Sequence, residues 1–497
     1  MIKFKQYLQI LSEQKLYDPT ADPRLVSTRI PTSAKTNTDP HTLHGAERLV
    51  VDIASMSPEH IERVGEFLKK PLEGKTKSGK SVSGSHSLLG PTDNLSNRDA
   101  FRLMTDRSTE IVDWHLQRAE GLPEMASRSR QWYEGANKIT RHFGDKYGHS
   151  HEKVAGVMAV LSPQMDWYKN ASLGERVMHI HGEHTNTTWT PEMEEKTGKI
   201  FKKGNTEHQE MLAAIRGKKL GEIEDPKHAA AWIRTYDEAH HPRHYRAITP
   251  EGEFGEHVQV GGGKKRGSVT WGGFGDIAKA VTILRSKPGD IETISKSLGG
   301  AHKVRSFYNN ILQPKNPDRP DSTIDTHAIG VGSGQITHSG THPVVAAGLG
   351  GNVGDAVTGV KGTYPIYRQA YTNVGQMRGY RPSEVQSVTW DDSRATKGEF
   401  TKGGGQAEEI ARLHASLRSG DIGMKELKQG LASAYGQQVA PSWMYLKTKS
   451  LKSRGSTFME SLKKKIEKLL NESKQTLNPR RSDYPEGQSA TEKEKKI

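Results

Sequence analysis

A chain of 497 residues has room for roughly two to four structural units at about 150 residues each. Its 72 Lys and Arg outweigh 58 Asp and Glu, a formal net charge of +14, which favours a polyanionic partner, most simply nucleic acid. With no cysteine, disulfides and thiolate chemistry are excluded, and no apolar run approaches membrane-spanning length.

The opening MIKFKQYLQILSEQ places Phe4, Tyr7, Leu8 and Leu11 on one face of a short amphipathic helix. It lacks an uninterrupted apolar region and a small-residue cleavage site, so no secretory signal is expected. This opening is similar to the starts of many tailed-phage proteins, which implies a location in the host cytoplasm or inside the virion. Residues 1–96 read as a polar extension and linker with a helix around Pro58–Lys69, and the Gly/Ser/Lys-rich stretch Gly74–Gly90 as a flexible linker. Within it, Gly74 to Ser81 matches the phosphate-loop pattern GxxxxGK[ST]. That loop works only between a buried strand and a helix. FLKKPLE before it and VSGSHSLLGP after it offer neither, so no nucleotide cofactor is expected.

Residues 97–400 read as the helical core, with an insertion at 183–270. Helical patterning runs from Asn97 to about Gly148. A helix over Val154–Leu161 buries Val154, Val157, Met158 and Leu161 and stops at Ser162-Pro163, and Asp166 is placed to cap the next helix. The insertion is rich in His, Gly and charge, with one helix expected at Pro226–Ala239. His179, His181 and His184, and later His240, His241 and His244, are metal-capable residue types. No HExxH pattern or cysteine accompanies them, and closed structural sites take four ligands, so surface or DNA-contacting histidines are expected and no metal or other cofactor.

Helices resume at Phe274–Lys287, with a turn at Ser286–Asp290. Leu298-Gly299-Gly300-Ala301-His302 reads as a tight turn between two helices, because glycine permits positive φ. After it Val304, Phe307, Tyr308, Ile311 and Leu312 recur on one helical face. Asp325 stands at the start of a further helix. Such a helix start after a glycine turn suits a phosphate, and a lysine with a nearby carboxylate can attack a sugar carbon. Residues 331–362 are Gly/Thr/His-rich with few periodic features. Tyr364–Met377 and Pro382–Trp390 look helical, the latter as core packing that leaves Gln386 and Arg394 without an assigned role. Residues 401–450 read as a C-terminal helical segment after the Lys402–Gly405 linker. Residues 451–497 read as a basic tail, with a lysine-rich helix from Thr457 and a polar, disordered end. Period-2 alternation is scarce, so the fold expected is mainly α.

The segments LGGAHKV and TIDTHA together resemble the helix-hairpin-helix DNA glycosylase superfamily of the endonuclease III and oxoguanine glycosylase type. VAGVMAVLSPQMDWYKN resembles that family's first core helix and its Ser-x-Gln turn, and the paired helices before the hairpin match in order. The resemblance covers roughly residues 150–182 and 270–335. It implies a two-lobed helical core with insertions and flexible termini, acting on DNA without a membrane or cofactor. It also implies an N-glycosylase that flips out and removes a damaged or modified base. By the same resemblance Asp325 is the catalytic carboxylate and Lys303 the lyase lysine, which would add abasic-site cleavage. Gln164 would fill the space left by the base, and Gly299, Gly300 and His302 would contact the backbone. Trp167 could stack on a base, worth ~1–3 kcal/mol, or pack in the core. The hairpin departs from the family pattern in lacking the usual proline and in placing His302 where a spaced glycine is common. A non-catalytic DNA-binding or virion-internal protein on the same scaffold is the alternative reading.

Overall fold

The computed structural model describes residues 58–70, 72–75, 81–84, 87–260, 263–299, 301–315, 321–335, 343–349, 362–400 and 405–446. The chain divides into Met1–Lys449 and Ser450–Ile497, and every described residue lies in the first unit. The N-terminal helix expected at Phe4–Leu11, the tail helix from Thr457, and Gly300 fall outside the described residues.

The fold is mainly α. Helix α1 (Pro58–Lys69) packs on α2 (Asn97–Glu120), the longest described helix. Ser96 starts α2 by accepting Asp99 N–H at 3.1 Å, as an N-cap serine does. Next come α3 (Pro123–Ser129), α4 (Trp132–Tyr147), α5 (His151–Val160) and α6 (Trp167–Glu183). Asp166 caps α6 through Tyr168 N–H at 3.0 Å, as its position in the sequence indicates.

The 183–270 insertion holds more regular structure than the single helix expected there. It contains α7 (Pro191–Ile200), α8 (Thr206–Ile215) and α9 (Pro226–His240), started by Thr190, Asn205 and Asp225. These close a hydrophobic cluster with α10 (Phe274–Arg285) around the fully buried Trp232. The described parts of the Gly74–Gly90 stretch are also more ordered than a flexible linker. Strands β1 (Leu72–Lys75) and β2 (Ser81–Gly84) pair antiparallel, and Leu88 and Leu89 are buried. The two ends of the phosphate-loop pattern, Gly74-Lys75 and Ser81, therefore lie on these paired strands, and residues 76–80 fall outside the described residues. Two further two-stranded antiparallel pairs, β3 (Arg246–Ile248) with β4 (Phe254–His257) and β5 (Gln259–Val260) with β6 (Lys265–Arg266), complete the described strands.

The chain continues through α11 (Ile291–Leu298), α12 (His302–Leu312), α13 (Thr326–Ser333), α14 (Pro343–Gly348), α15 (Tyr364–Arg378) and α16 (Pro382–Phe400). Helices α17 (Gln406–Ser419) and α18 (Met424–Tyr435) contribute Leu413, Leu417, Leu427 and Leu431 to the same core as α1, α2, α13 and α15. Among the described residues no helix is long and apolar enough to cross a membrane.

Candidate active site

The helix before the glycine turn is started and ended by local sequence signals. Asp290 caps α11 through Thr293 N–H at 2.9 Å, and Gly299 ends it at φ +66°, ψ −158°. Among the described residues no atom lies within 4 Å of where a Gly299 Cβ would stand, so the need for glycine here is conformational. Arg305, wholly buried on α12, reaches back to donate to Gly299 O at 3.1 Å, Ser295 O at 3.0 Å and Ser295 Oγ at 2.5 Å. A guanidinium's fixed fork of donors suits this bracing of one helix on another.

Two hairpin residues are engaged within the protein. His302 is buried against Tyr364, ring centroids 5.1 Å apart, so its side chain packs in the interior. The Gly299 N–H is spent on Lys296 O at 3.1 Å. Both residues set the shape of the hairpin.

One position further along, Lys303 points toward the turn after α5. Its Nζ donates to Ser162 Oγ at 2.8 Å and to Ser162 O at 3.2 Å, and lies 5.3 Å from the Phe307 ring centre. Ser162 Oγ–H is given to Ala159 O at 2.8 Å, so the hydroxyl is oriented to accept from the lysine. Burial pulls the Lys303 amine down to about 8, with the Asp325 carboxylate opposing. Removal of an ammonium from water favours the neutral amine.

Asp325 is the N-cap of α13. Its Oδ1 accepts Ala328 N–H at 2.9 Å, and its Oδ2 accepts the Trp390 indole N–H at 3.1 Å. Lys303 and Asp325 line one cavity of about 50 Å³, walled by Trp132, Trp167, Phe307 and Trp390. The aromatic rings contact one another: Trp132 lies 5.0 Å from Trp167 and 5.4 Å from Trp390. Trp167, at the start of α6, is thus both buried and part of the cavity wall.

The polar lining is specific. Asn170 donates Nδ2–H to Met158 O at 3.0 Å, which fixes the amide, yet its buried Oδ1 has no hydrogen-bond partner among the described residues. Such an orphaned acceptor costs about 1–3 kcal/mol. Gln386 Oε1 accepts the Tyr133 hydroxyl at 2.7 Å. Gln386, Trp390 and Arg394 recur every fourth residue along α16, which extends beyond the Trp390 end expected from sequence. Arg394 lies 4.5 Å over the Trp390 ring and pairs with Asp166, the cap of α6. Both residues left without a role by sequence reasoning therefore belong to this site, one in its wall and one bracing it.

Gln164 sits in the turn between α5 and α6, exposed and outside the cavity lining. Among the described residues it is the one non-glycine with a left-handed backbone, φ 57°. Such a conformation costs of order 1–3 kcal/mol and persists where its surroundings enforce it. Here Ser162 O accepts both Met165 N–H, at 3.2 Å, and the Lys303 amine.

The model of a family of unknown function, DUF7178, matches residues 103–219 and 250–397, over half of the chain. The protein belongs to this family. Within the DUF7178 match lie all the cavity residues named above, from Trp132 to Trp390. The unmatched stretch between the two segments carries α9. No curated protein and no solved structure matches the chain.

Proposed function

We propose that this DUF7178 protein is a DNA N-glycosylase of the helix-hairpin-helix type, with Lys303 as nucleophile and Asp325 as the charge-stabilising carboxylate. The observation that carries this reading is the placement of a lysine with a lowered pKa and a fixed carboxylate in one aromatic-walled cavity. A base inside a duplex is out of reach, so the target nucleotide is flipped out of the stack. The neutral Lys303 amine attacks C1′ of the sugar, and the C1′–N bond breaks with its electron pair leaving on the base, which takes up a proton. Asp325 stabilises positive charge at the sugar as that bond breaks. Loss of the amine's proton and opening of the sugar ring give a lysine–sugar Schiff base, and removal of a C2′ proton from it expels the 3′ phosphate.

The remaining lining fits the same substrate. Trp132, Trp167 and Trp390 offer π faces to a base, and the orphaned Asn170 Oδ1 accepts one of its N–H groups. A cavity of about 50 Å³ is small beside ligand pockets of roughly 300–1,000 Å³, so entry of a base requires movement of the aromatic wall. The net charge of +14 supports a DNA partner.

The test is incubation with duplexes carrying a panel of damaged and modified bases, with sodium borohydride present. Base release together with a reduced protein–DNA adduct that Lys303→Gln abolishes is the expected result. Base release without an adduct would make water the nucleophile, and no release from any substrate would leave a DNA-binding protein on this scaffold.

A further inference from the structure

A second cleft of about 370 Å³ is lined by residues from α4, α6 and the β3–β4 hairpin, including Lys146, Tyr147, Arg176, Arg246 and Phe254. At its edge the C-terminal ends of α6 and α9 meet. His179 lies near the end of α6, His184 is the C-cap of α6, and His241 is the C-cap of α9. One ring nitrogen of each lies within 4.8 Å of the others, and all three side chains are half-buried. The ring centroids are 5.2 Å (His179–His184), 5.5 Å (His179–His241) and 6.4 Å (His184–His241) apart. The two histidine runs, separate in sequence, thus contribute to one cluster.

What distinguishes this cluster from a chance gathering is the support behind each ring. His241 Nδ1 lies 3.1 Å from Asp237 Oδ1. Asp237 is itself fully buried and held by Arg176 Nη1 at 2.7 Å and Trp271 Nε1 at 2.9 Å. His179 Nδ1 lies 3.3 Å from Glu183 Oε1. An Nδ1–H on His184 has Thr187 Oγ1 at 3.2 Å and Tyr236 Oη at 3.1 Å to donate to. A proton held on Nδ1 leaves the Nε2 lone pair available, and a carboxylate or hydroxyl behind a ligating imidazole is the usual second contact of a metal-bound histidine. The C-terminal ends of two helices add favourable potential for a cation.

We infer that His179, His184 and His241 form a binding site for a divalent transition ion of the zinc class. Three neutral imidazoles without thiolate or direct carboxylate suit Zn²⁺ and its neighbours Co²⁺ and Ni²⁺. Zn–N bonds of about 2.0–2.1 Å put tetrahedral ligand atoms roughly 3.3 Å apart, so small ring rotations close the set. Because His179 and His241 also line the cleft, the fourth coordination position is available to water or to an anionic group entering beside Lys146, Arg176 and Arg246. The site shares no residue with the Lys303–Asp325 cavity and does not depend on what that cavity does.

The experiment uses the untagged full chain, stripped with a chelator and titrated with Co²⁺ and then Zn²⁺. One equivalent of Co²⁺ should produce the intense visible d–d bands of four-coordinate cobalt. Zn²⁺ should displace them and raise the melting temperature. His184→Gln and His241→Gln should each weaken Zn²⁺ binding at least tenfold, whereas His228→Gln, at the other end of α9, should leave it unchanged. His179→Gln, whose ring is backed by Glu183 and not by the buried Asp237, provides a ligand variant should loss of His241 from Asp237 unfold the chain. Absence of four-coordinate cobalt bands in the wild type, or undiminished Zn²⁺ affinity in folded His179→Gln and His184→Gln, would overturn the assignment.

Discussion

Trp390 donates its indole N–H to Asp325 Oδ2 at 3.1 Å, while Asp325 Oδ1 receives Ala328 N–H at 2.9 Å. The carboxylate is thereby fixed by two different elements, the helix it starts and a helix packed across the cavity. Asparagine caps a helix about as well as aspartate and retains an oxygen for one of the two donors. Asp325→Asn should therefore keep the cap and fold, at a cost of about 1–3 kcal/mol for the donor left without an acceptor. Base release should fall by about 10²–10³-fold, the scale on which a preorganised charge-stabilising group acts. Thermal melts and single-turnover assays at matched protein concentration separate the two effects, and undiminished turnover would remove Asp325 from the chemistry.

Lys303 gives a pH signature in stability as well as in activity. Its folded-state pKa of about 8 lies below the ordinary 10.5 because the ammonium is taken out of water. Between those values the unfolded chain holds a proton that the folded chain has released, so this group's contribution to stability rises with pH through that window. Below pH 8 both states are protonated and the burial penalty is present in full. Lys303→Met keeps the apolar stem and removes the charge. It should melt higher than the wild type at pH 7, with the gap narrowing toward pH 10. The rate of adduct formation should rise with pH up to about 8 as the neutral amine becomes dominant. A wild-type-minus-variant difference independent of pH would mean that the amine titrates normally.

Much of this site is written locally in the sequence. Asp166 and Asp325 precede apolar helical runs, and Gly299 ends one, so caps and hairpin follow from short-range rules. Lys303 and Asp325 are the residues that the family resemblance singles out, and both line one cavity. Trp132, Trp390 and Gln386 arrive from distant helices. The fourfold spacing of Gln386, Trp390 and Arg394 marks a face of α16, but only tertiary packing decides that it meets the cavity. The burial of the His302 side chain was not legible because α12 is buried on almost every side, so its periodicity does not identify an outward face. In the insertion, α7 buries only Met193 and Ile200, and α8 only Met211, Leu212 and Ile215. That is too few apolar positions per helix for a periodic signal, even though Thr190 and Asn205 cap them. The strands LEGK and SVSG have no alternating apolar face, and their pairing is a matter of backbone hydrogen bonds.

Asp391, one residue beyond Trp390, is buried and accepts Ser129 Oγ–H at 2.6 Å and Trp443 Nε1–H at 3.1 Å. Burial outweighs those two donors and raises its carboxyl to about 6 from the ordinary 3.8. Between these values the folded state holds a proton that the unfolded state has lost, so this group's contribution to stability falls as pH rises from about 4 to 6. Asp391→Asn removes that dependence. Its melting temperature relative to the wild type should rise across this window and level off above it. A constant difference between pH 4 and 7 would show that Asp391 ionises at its ordinary pKa in the fold.

Gln164 carries its left-handed backbone, φ 57°, in the turn whose Ser162 carbonyl receives the Lys303 amine. Glycine adopts that conformation without steric cost, though it adds backbone entropy to the unfolded chain. If the position serves only the turn, Gln164→Gly should be neutral to stabilising, by up to about 1 kcal/mol, with activity unchanged. If the side chain fills the space of an extruded base, the same variant should keep its stability and bind duplex DNA, yet release base more slowly by tenfold or more. Gln164→Ala separates the contributions further, because it keeps the backbone strain and deletes the amide. A slow Ala variant beside an equally slow Gly variant assigns the effect to the side chain, whereas a slow Ala and a fast Gly variant would assign it to the geometry of the turn. Measuring both with a mismatched target base, which is less costly to unstack, should shrink the defect if filling the stack is the step that Gln164 assists. An equal defect on paired and mismatched targets would rule that step out.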